Sequence, residues 1–314
     1  MLTYGLAVLA ACANATSSVL QRKANREVPR KQNLSWKLIR DLLHEPVWFG
    51  GIGAITVGFL LQATALGTGQ LAVVEPILVL ELPLTLILAA RVFHAPLGWR
   101  DWAATAAMTA ALAGLLYFLS PSAGQASGAP WYAWVIGIGV NGAVIAVLVA
   151  WGRHGPAGRS GDSRGSGSRQ AALLGVAAGS AFGLTAALMK GMTDAFAQGL
   201  GALLTSWQLY AMIAAGVGGM FLVQSAMNAG RLLAAQPGLT LTDPIVSILW
   251  GVLAFREHVQ SGVFILLDVA CLAVMAAAVI LLAHSPLLGH DSGDRPGDPT
   301  GAGLSSGGRA RGSR

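Results

Sequence analysis

Charge is what this sequence has least of. Charged residues make up 11% of its 314 positions, against ~25% in ordinary soluble domains. Cysteine is scarce too. Cys12 and Cys271 both lie inside apolar runs, so neither a disulfide nor a metal pair is expected, and both read as buried small thiols. There is no His/Cys cluster, no Ser/His/Asp set and no phosphate-binding glycine loop. An enzyme is therefore not expected, and no cofactor. The formal charge of +6 does not mark a nucleic-acid binder, because the basic residues fall in loops and tails between apolar blocks.

What the chain does have is apolar length. It is 54% hydrophobic, in blocks of about twenty residues, as a polytopic membrane protein requires. Nine spans are expected, over 2–20, 47–67, 70–91, 102–120, 131–151, 171–190, 204–226, 232–254 and 262–284. Leu9-Ala10-Ala11-Cys12 resembles a lipoprotein cleavage box. No Lys or Arg precedes it and the apolar run continues to Leu20, so a retained first span is expected. Eighteen of the 20 Lys and Arg residues fall on one side if the N-terminus is outside; only Lys190 and Arg256 fall on the other. That bias predicts a multi-pass protein of the cell membrane, N-terminus out and C-terminus in.

The expected layout is a first half at 1–151, a flexible linker at 152–170, a second half at 171–285 and a disordered tail at 286–314. Leu34, Leu38 and Leu42, with Lys37, Arg40 and His44 opposite, predict a helix over 33–44 lying on the inner leaflet. Gly50, Ala54 and Gly58, and again Gly175, Gly179 and Gly183, form small-residue stripes that let helices pack closely.

Two stretches stand out. Glu75-Pro76-Ile77-Leu78-Val79-Leu80-Glu81-Leu82-Pro83 lies inside one apolar run and Gln236-Pro237-Gly238-Leu239-Thr240-Leu241-Thr242-Asp243-Pro244 inside another. Pro76/Pro237, Leu78/Leu239, Leu80/Leu241 and Pro83/Pro244 match in register. Further matches link 15–22 with 183–190 and Gln62 with Gln224, so spans one to four recur as six to nine. Equivalent spans are five apart, an odd number, which makes the repeat inverted and places a shared site near the midplane. Glu75, Glu81, Gln236, Thr240 and Asp243 are the expected substrate-binding residues, with Gln62, Gln224 and Asp268 secondary. Intramembrane ionisable groups of this kind point to a site; a neutral carboxylate bonded to a neighbouring helix is the structural alternative. The prolines would break the helices and free the carbonyls of Ala72, Val79, Leu233 and Thr240 as acceptors. Such oxygen ligands suit Mg²⁺, although no metal site is assigned. Glu257 is expected to pair with its turn neighbours Arg256 and His258, and Lys190 to snorkel.

These features resemble the drug/metabolite transporter superfamily. The span–Pro–hairpin pattern resembles the EamA-type repeat, and Phe255-Arg256-Glu257-His258-Val259 its hairpin glutamate. Nine spans, with Ser17-Ser18-Val19-Leu20-Gln21-Arg22-Lys23 and Leu71-Ala72-Val73-Val74-Glu75-Pro76, are closest to the NIPA-like branch, associated with magnesium transport. Ala95 stands where Glu257 has its first-half match, and Ala54 and Leu60 replace polar residues of the branch's second span. The resemblance implies an all-α transporter of a cation or small metabolite. An exporter of organic cations or amino-acid-like compounds, and a structural or receptor-like membrane protein without flux, are the alternatives. The expected partners are a small-molecule or ion substrate and the lipid bilayer; a homodimer is compatible with this reading.

Topology is directly testable. Cysteines introduced at Gly124 and Ala197 are expected to react with an impermeant thiol reagent in intact cells, and ones at Gly161 and Ser305 to stay protected. The reverse pattern inverts the topology.

Overall fold

The computed structural model describes residues 2–27, 46–94, 97–120, 129–154, 163–229, 232–260 and 262–283. The regular structure among them is helical: α1 (Leu2–Glu27), α2 (Pro46–Thr68), α3 (Leu71–Leu78), α4 (Glu81–Val92), α5 (Trp99–Leu119), α6 (Trp131–His154), α7 (Ser163–Ala197), α8 (Leu200–Thr205), α9 (Trp207–Ala229), α10 (Leu232–Leu253) and α11 (Val263–Ala283). The inner-leaflet helix expected at 33–44 and the tail at 286–314 lie outside the described residues. The stretch expected as a flexible linker, 152–170, is helical at both ends, since α6 runs to His154 and α7 starts at Ser163. Extending a helix already nucleated in an apolar segment adds one hydrogen bond per residue fixed, which outweighs the poor propensity of Gly and Ser.

Among the described residues, eight segments are long and apolar enough to cross a membrane, with α3 and α4 together forming one of them. The expected count was nine. Helix α10 is not among those eight, and Gln236, Thr240, Thr242 and Asp243 punctuate its apolar run. Its polar side chains are sheltered by neighbours instead: α10 packs on α7, α3 and α11.

Helix α7 is the centre of the bundle. It touches α2, α3, α6, α8, α9 and α10, and 72% of its apolar window is buried, against 11% for α6. The glycine stripe makes this approach feasible. A Cβ on Gly175, Gly179 or Gly183 would run into α10 at the backbone of Ala235, Leu239 or Asp243. On the first-half side, Gly58 of α2 faces Asn14 of α1, and Gly50 faces Leu20. Both stripes are packing seams. The outer surface is apolar, with Val135, Val140 and Val147 of α6 and Val217 and Phe221 of α9 exposed. Trp99, Tyr117, Trp131 and Trp151 stand exposed near the ends of α5 and α6, where aromatic belts meet the membrane interface.

Several features occur twice. Helix α1 packs on α2 and α4, and α7 packs on α9 and α10. After α4, His94 has φ of 52°, and after α10, Arg256 has φ of 52°, uncommon for residues other than glycine. Arg22 lies over the ring of Phe93 at 6.0 Å, and Lys190 over the ring of Phe255 at 5.5 Å. Each cation comes from the segment matched at 15–22 or 183–190, and each ring from the residue just before the positive-φ position.

The α7–α10 seam generates a prediction. Gly179→Leu would press a side chain into Asp243 N, 3.2 Å from the position of its Cβ. A cost of ~1–3 kcal/mol or more is expected from overpacking, read as a lower thermal midpoint and poorer monodispersity in detergent. Gly139→Leu, where nothing lies within 4 Å, is expected to melt like the parent.

Candidate functional site

A cavity of about 540 Å³ lies between α1, α2, α3, α4, α7 and α10. Glu75, Glu81, Gln236, Thr240 and Asp243 all line it, as does Gln62. The structure therefore brings together the five residues expected to bind substrate and one of the three secondary ones. Gln224 is exposed on α9. Asp268 is buried on α11 and does not line the cavity.

The two proline-bearing stretches behave differently. The first is broken: α3 ends at Leu78 and α4 begins at Glu81. Val79 N–H donates to Pro76 O, Leu80 N–H to Ile77 O and Leu82 N–H to Val79 O. The Val79 carbonyl, expected to be free beneath Pro83, is thus taken by Leu82 at 3.2 Å. These i→i+3 bonds wind the chain more tightly than an α-helix. Glu81, which an unbroken helix would rotate roughly 100° away from its neighbour Leu82, instead joins Leu82 and Glu75 on the cavity wall. The second stretch is not broken. Helix α10 runs through Pro237 and Pro244, because neighbouring helices hold it where the proline removes a bond. Gly238 helps, since a Cβ there would meet Val176 of α7. The four prolines shape the helices without lining the cavity.

Each first-half carboxylate has a partner. Gln62 Nε2 donates to Glu75 Oε1 at 3.0 Å, and Ser18 Oγ donates to Glu81 Oε1 at 3.3 Å. Gln236 Nε2 lies 3.5 Å from Thr240 Oγ1. Asp243 Oδ1 is buried with no hydrogen-bond partner. The sequence reading missed Asn14, Ser18 and Thr185, which add polar groups, and Phe59, Phe182 and Met189, which add apolar wall. A signal was present for three of the polar and aromatic ones. Asn14 and Ser18 are four apart, so they share a helix face, and Thr185 lies in the segment matched to it.

A buried ion pair lies next to the cavity, one residue beyond its wall at Met189. Lys190 and Glu257 are 4% and 3% exposed, with Lys190 Nζ 3.2 Å from Glu257 Oε1. Glu257 Oε1 accepts from Leu71 N–H at 2.7 Å, and Oε2 from Ala72 N–H at 3.0 Å. Lys190 Nζ donates to Gly69 O. Glu257 therefore caps α3, the helix that carries Glu75. This corrects the expected pairing of Glu257 with Arg256 and His258 in a wet turn, and the expected snorkelling of Lys190. The α3 N-terminus has orphan N–H groups inside the protein, and a carboxylate satisfies two of them. Gly251 leaves the room, since its Cβ would collide with the carboxylate. Trp134 closes the apolar side, its ring centroid 5.3 Å from that of Trp250 and 5.7 Å from that of Phe255.

Among the described residues, no three His, Cys, Asp or Glu side chains converge to hold a metal ion. The arrangement offers carboxylates, amides and hydroxyls around a partly open cavity within an apolar bundle. This defines the chain as a polytopic helical membrane protein. It is similar to an uncharacterized protein of Corynebacterium glutamicum, with 28% identity over 295 residues that cover 90% of this chain and 96% of the other. No family model matches the chain, and no solved structure matches it.

The ion pair generates the prediction here. Removing one partner of a buried pair costs ~3–5 kcal/mol. Glu257→Gln is expected to be the more damaging change, because it strands the Lys190 ammonium. Lys190→Met leaves Glu257 with two N–H donors and should cost less. The Lys190→Met/Glu257→Gln double variant is expected to regain part of the loss in a thermal double-mutant cycle. Strict additivity would mean the two groups do not interact.

Proposed function

We propose that this chain is a secondary transporter of the drug/metabolite transporter class, moving a cation or small metabolite by alternating access. Nine helices cross the cell membrane in this reading, with the N-terminus outside, and spans one to four recur inverted as spans six to nine. The observation that carries it is the cavity, where Glu75 and Glu81 of the first half meet Asp243, Gln236 and Thr240 of the second. Carboxylates are costly at membrane depth and mark substrate or ion pathways, and inverted repeats build their site at the repeat interface. The paired φ of 52° at His94 and Arg256 and the paired cation–ring contacts support the repeat.

The acidic lining favours a cationic substrate. Without a converged ligand set, Mg²⁺ would be taken with several of its waters, as that ion prefers. Phe59 and Phe182 on the wall favour the second reading, an exporter of small organic cations, since aromatic faces attract cations. A purely structural protein has no use for a carboxylate-lined cavity, and a receptor would bind its ligand there without flux.

The test uses purified protein in proteoliposomes with a panel of Mg²⁺, small organic cations and amino-acid-like metabolites. Glu75→Gln and Asp243→Asn keep shape and most hydrogen bonding. Each is expected to lower flux tenfold or more, with abundance unchanged or higher, because a membrane-buried charge costs ~2.5–3.5 kcal/mol on insertion scales. Parent-level flux in both variants would remove these residues from the site, and no flux for any solute in the parent would remove the transport reading.

A further inference from the structure

We propose that the solute of this cavity is an aliphatic diamine or longer linear polyamine, its ammonium groups held at separate carboxylates and its methylene chain lying against the apolar wall between them. The inference rests on the transport reading and names the solute class of that site. Glu75, Glu81 and Asp243 line one cavity, and among the described residues that line it there is no Lys, Arg or His. Asp243 is close enough to Glu75 and Glu81 to feel the charge of both. Charge at membrane depth calls for a partner, and a single ammonium group offsets one of the three carboxylates at most.

The spacing favours a solute with separated charges. Glu75 and Glu81 are six residues apart, across the break between α3 and α4. At the helical rise their backbones are separated by roughly 9 Å. Between them, Leu78 and Val79 face the cavity, and Leu82 follows. The wall therefore runs from carboxylate to apolar side chains to carboxylate. A hydrated Mg²⁺ carries its charge at one point and gains nothing from Leu78 and Val79. A diamine carries charge at both ends, and its methylenes gain by leaving water.

Both ends have acceptors to spare. At one, Glu75 is buried and takes Gln62 Nε2, while Asp243 Oδ1 is buried with no hydrogen-bond partner. At the other, Glu81 is half-buried and takes Ser18 Oγ. A carboxylate offers about four lone-pair sites, so these bonds leave room for an ammonium group. The volume of about 540 Å³ accommodates the chain between.

The experiment uses full-length protein in phosphatidylcholine nanodiscs, with empty nanodiscs as the blank, and isothermal titration. The probes are 1,4-diaminobutane, 1,5-diaminopentane, 1,8-diaminooctane, spermidine, Mg²⁺, and n-butylamine and n-pentylamine as single-ended controls. The two shorter diamines are expected to bind tenfold or more tighter than the monoamines of equal carbon number. Glu81→Gln is expected to shrink that ratio to about threefold or less, with the thermal midpoint reporting whether the variant folds. The parent series decides even if it does not. Equal affinity for diamine and monoamine overturns the inference, and so does Mg²⁺ binding without diamine preference. An undiminished ratio in folded Glu81→Gln overturns it as well. Binding is read without flux, so a diamine-selective protein that moves no solute in proteoliposomes loses the transport reading alone. One that moves another solute and shows no diamine preference loses this inference alone.

Discussion

The start of α3 is a polar problem set inside an apolar bundle. Leu71 and Ala72 are wholly buried, and the first N–H groups of a helix have no acceptor within it. In hydrocarbon such groups must be satisfied by protein. The solution comes from 186 residues downstream, where the Glu257 carboxylate accepts from Leu71 N–H and, through its other oxygen, from Ala72 N–H. That carboxylate in turn requires Lys190, an empty Cβ position at Gly251 and a left-handed turn at Arg256. A buried ion pair contributes little net stability compared with well-packed apolar groups. What this one does is fix where α3 begins, and so where Glu75, one turn on, meets Gln62.

From that start the same proline spacing has two outcomes. In the first half the chain tightens at Val79 and Leu80 and turns Glu81 onto the cavity wall. In the second, α10 lies in the glycine seam of α7 and stays helical through both prolines. A proline deletes one bond wherever it stands in a helix. Whether the helix breaks depends on the support alongside it, and α10 is seated on α7 along Gly175, Gly179 and Gly183.

Much of this was legible in the sequence, for physical reasons. Apolar blocks near membrane thickness located the helices, and carboxylates inside them located the cavity. Glu75, Glu81, Gln236, Thr240 and Asp243 converge as their rarity at membrane depth implies. Three things were not legible. Lys190 and Glu257 are 67 residues apart and meet only through the packing of α7, so each looked like an end-of-helix charge at the membrane surface. The break at Val79 depends on neighbours, which proline spacing does not contain. Gln62 and Gln224 match in the repeat, yet only Gln62 reaches the cavity, because α2 packs beside α3 while α9 turns that face outward.

Hydrogen bonding within the cavity bears on the sign of its occupant. Gln62 and Ser18 each donate to a first-half carboxylate, but Asp243 Oδ1 receives nothing from the protein. The cations at the two ends, Arg22 and Lys190, are absent from the wall. An anionic solute would meet Glu75, Glu81 and Asp243 together, with few free donors to offset them. A cation, or a solute bearing an ammonium group, supplies a partner for Asp243 Oδ1 and leaves the bonds of Glu75 and Glu81 in place. The remaining space is far larger than a dehydrated ion, and Phe59, Phe182 and Met189 bound it on the apolar side. Water retained around a small ion and the apolar body of an organic cation are two ways to fill that space. Only the second gains from the aromatic faces, which is why the wall composition weighs toward it.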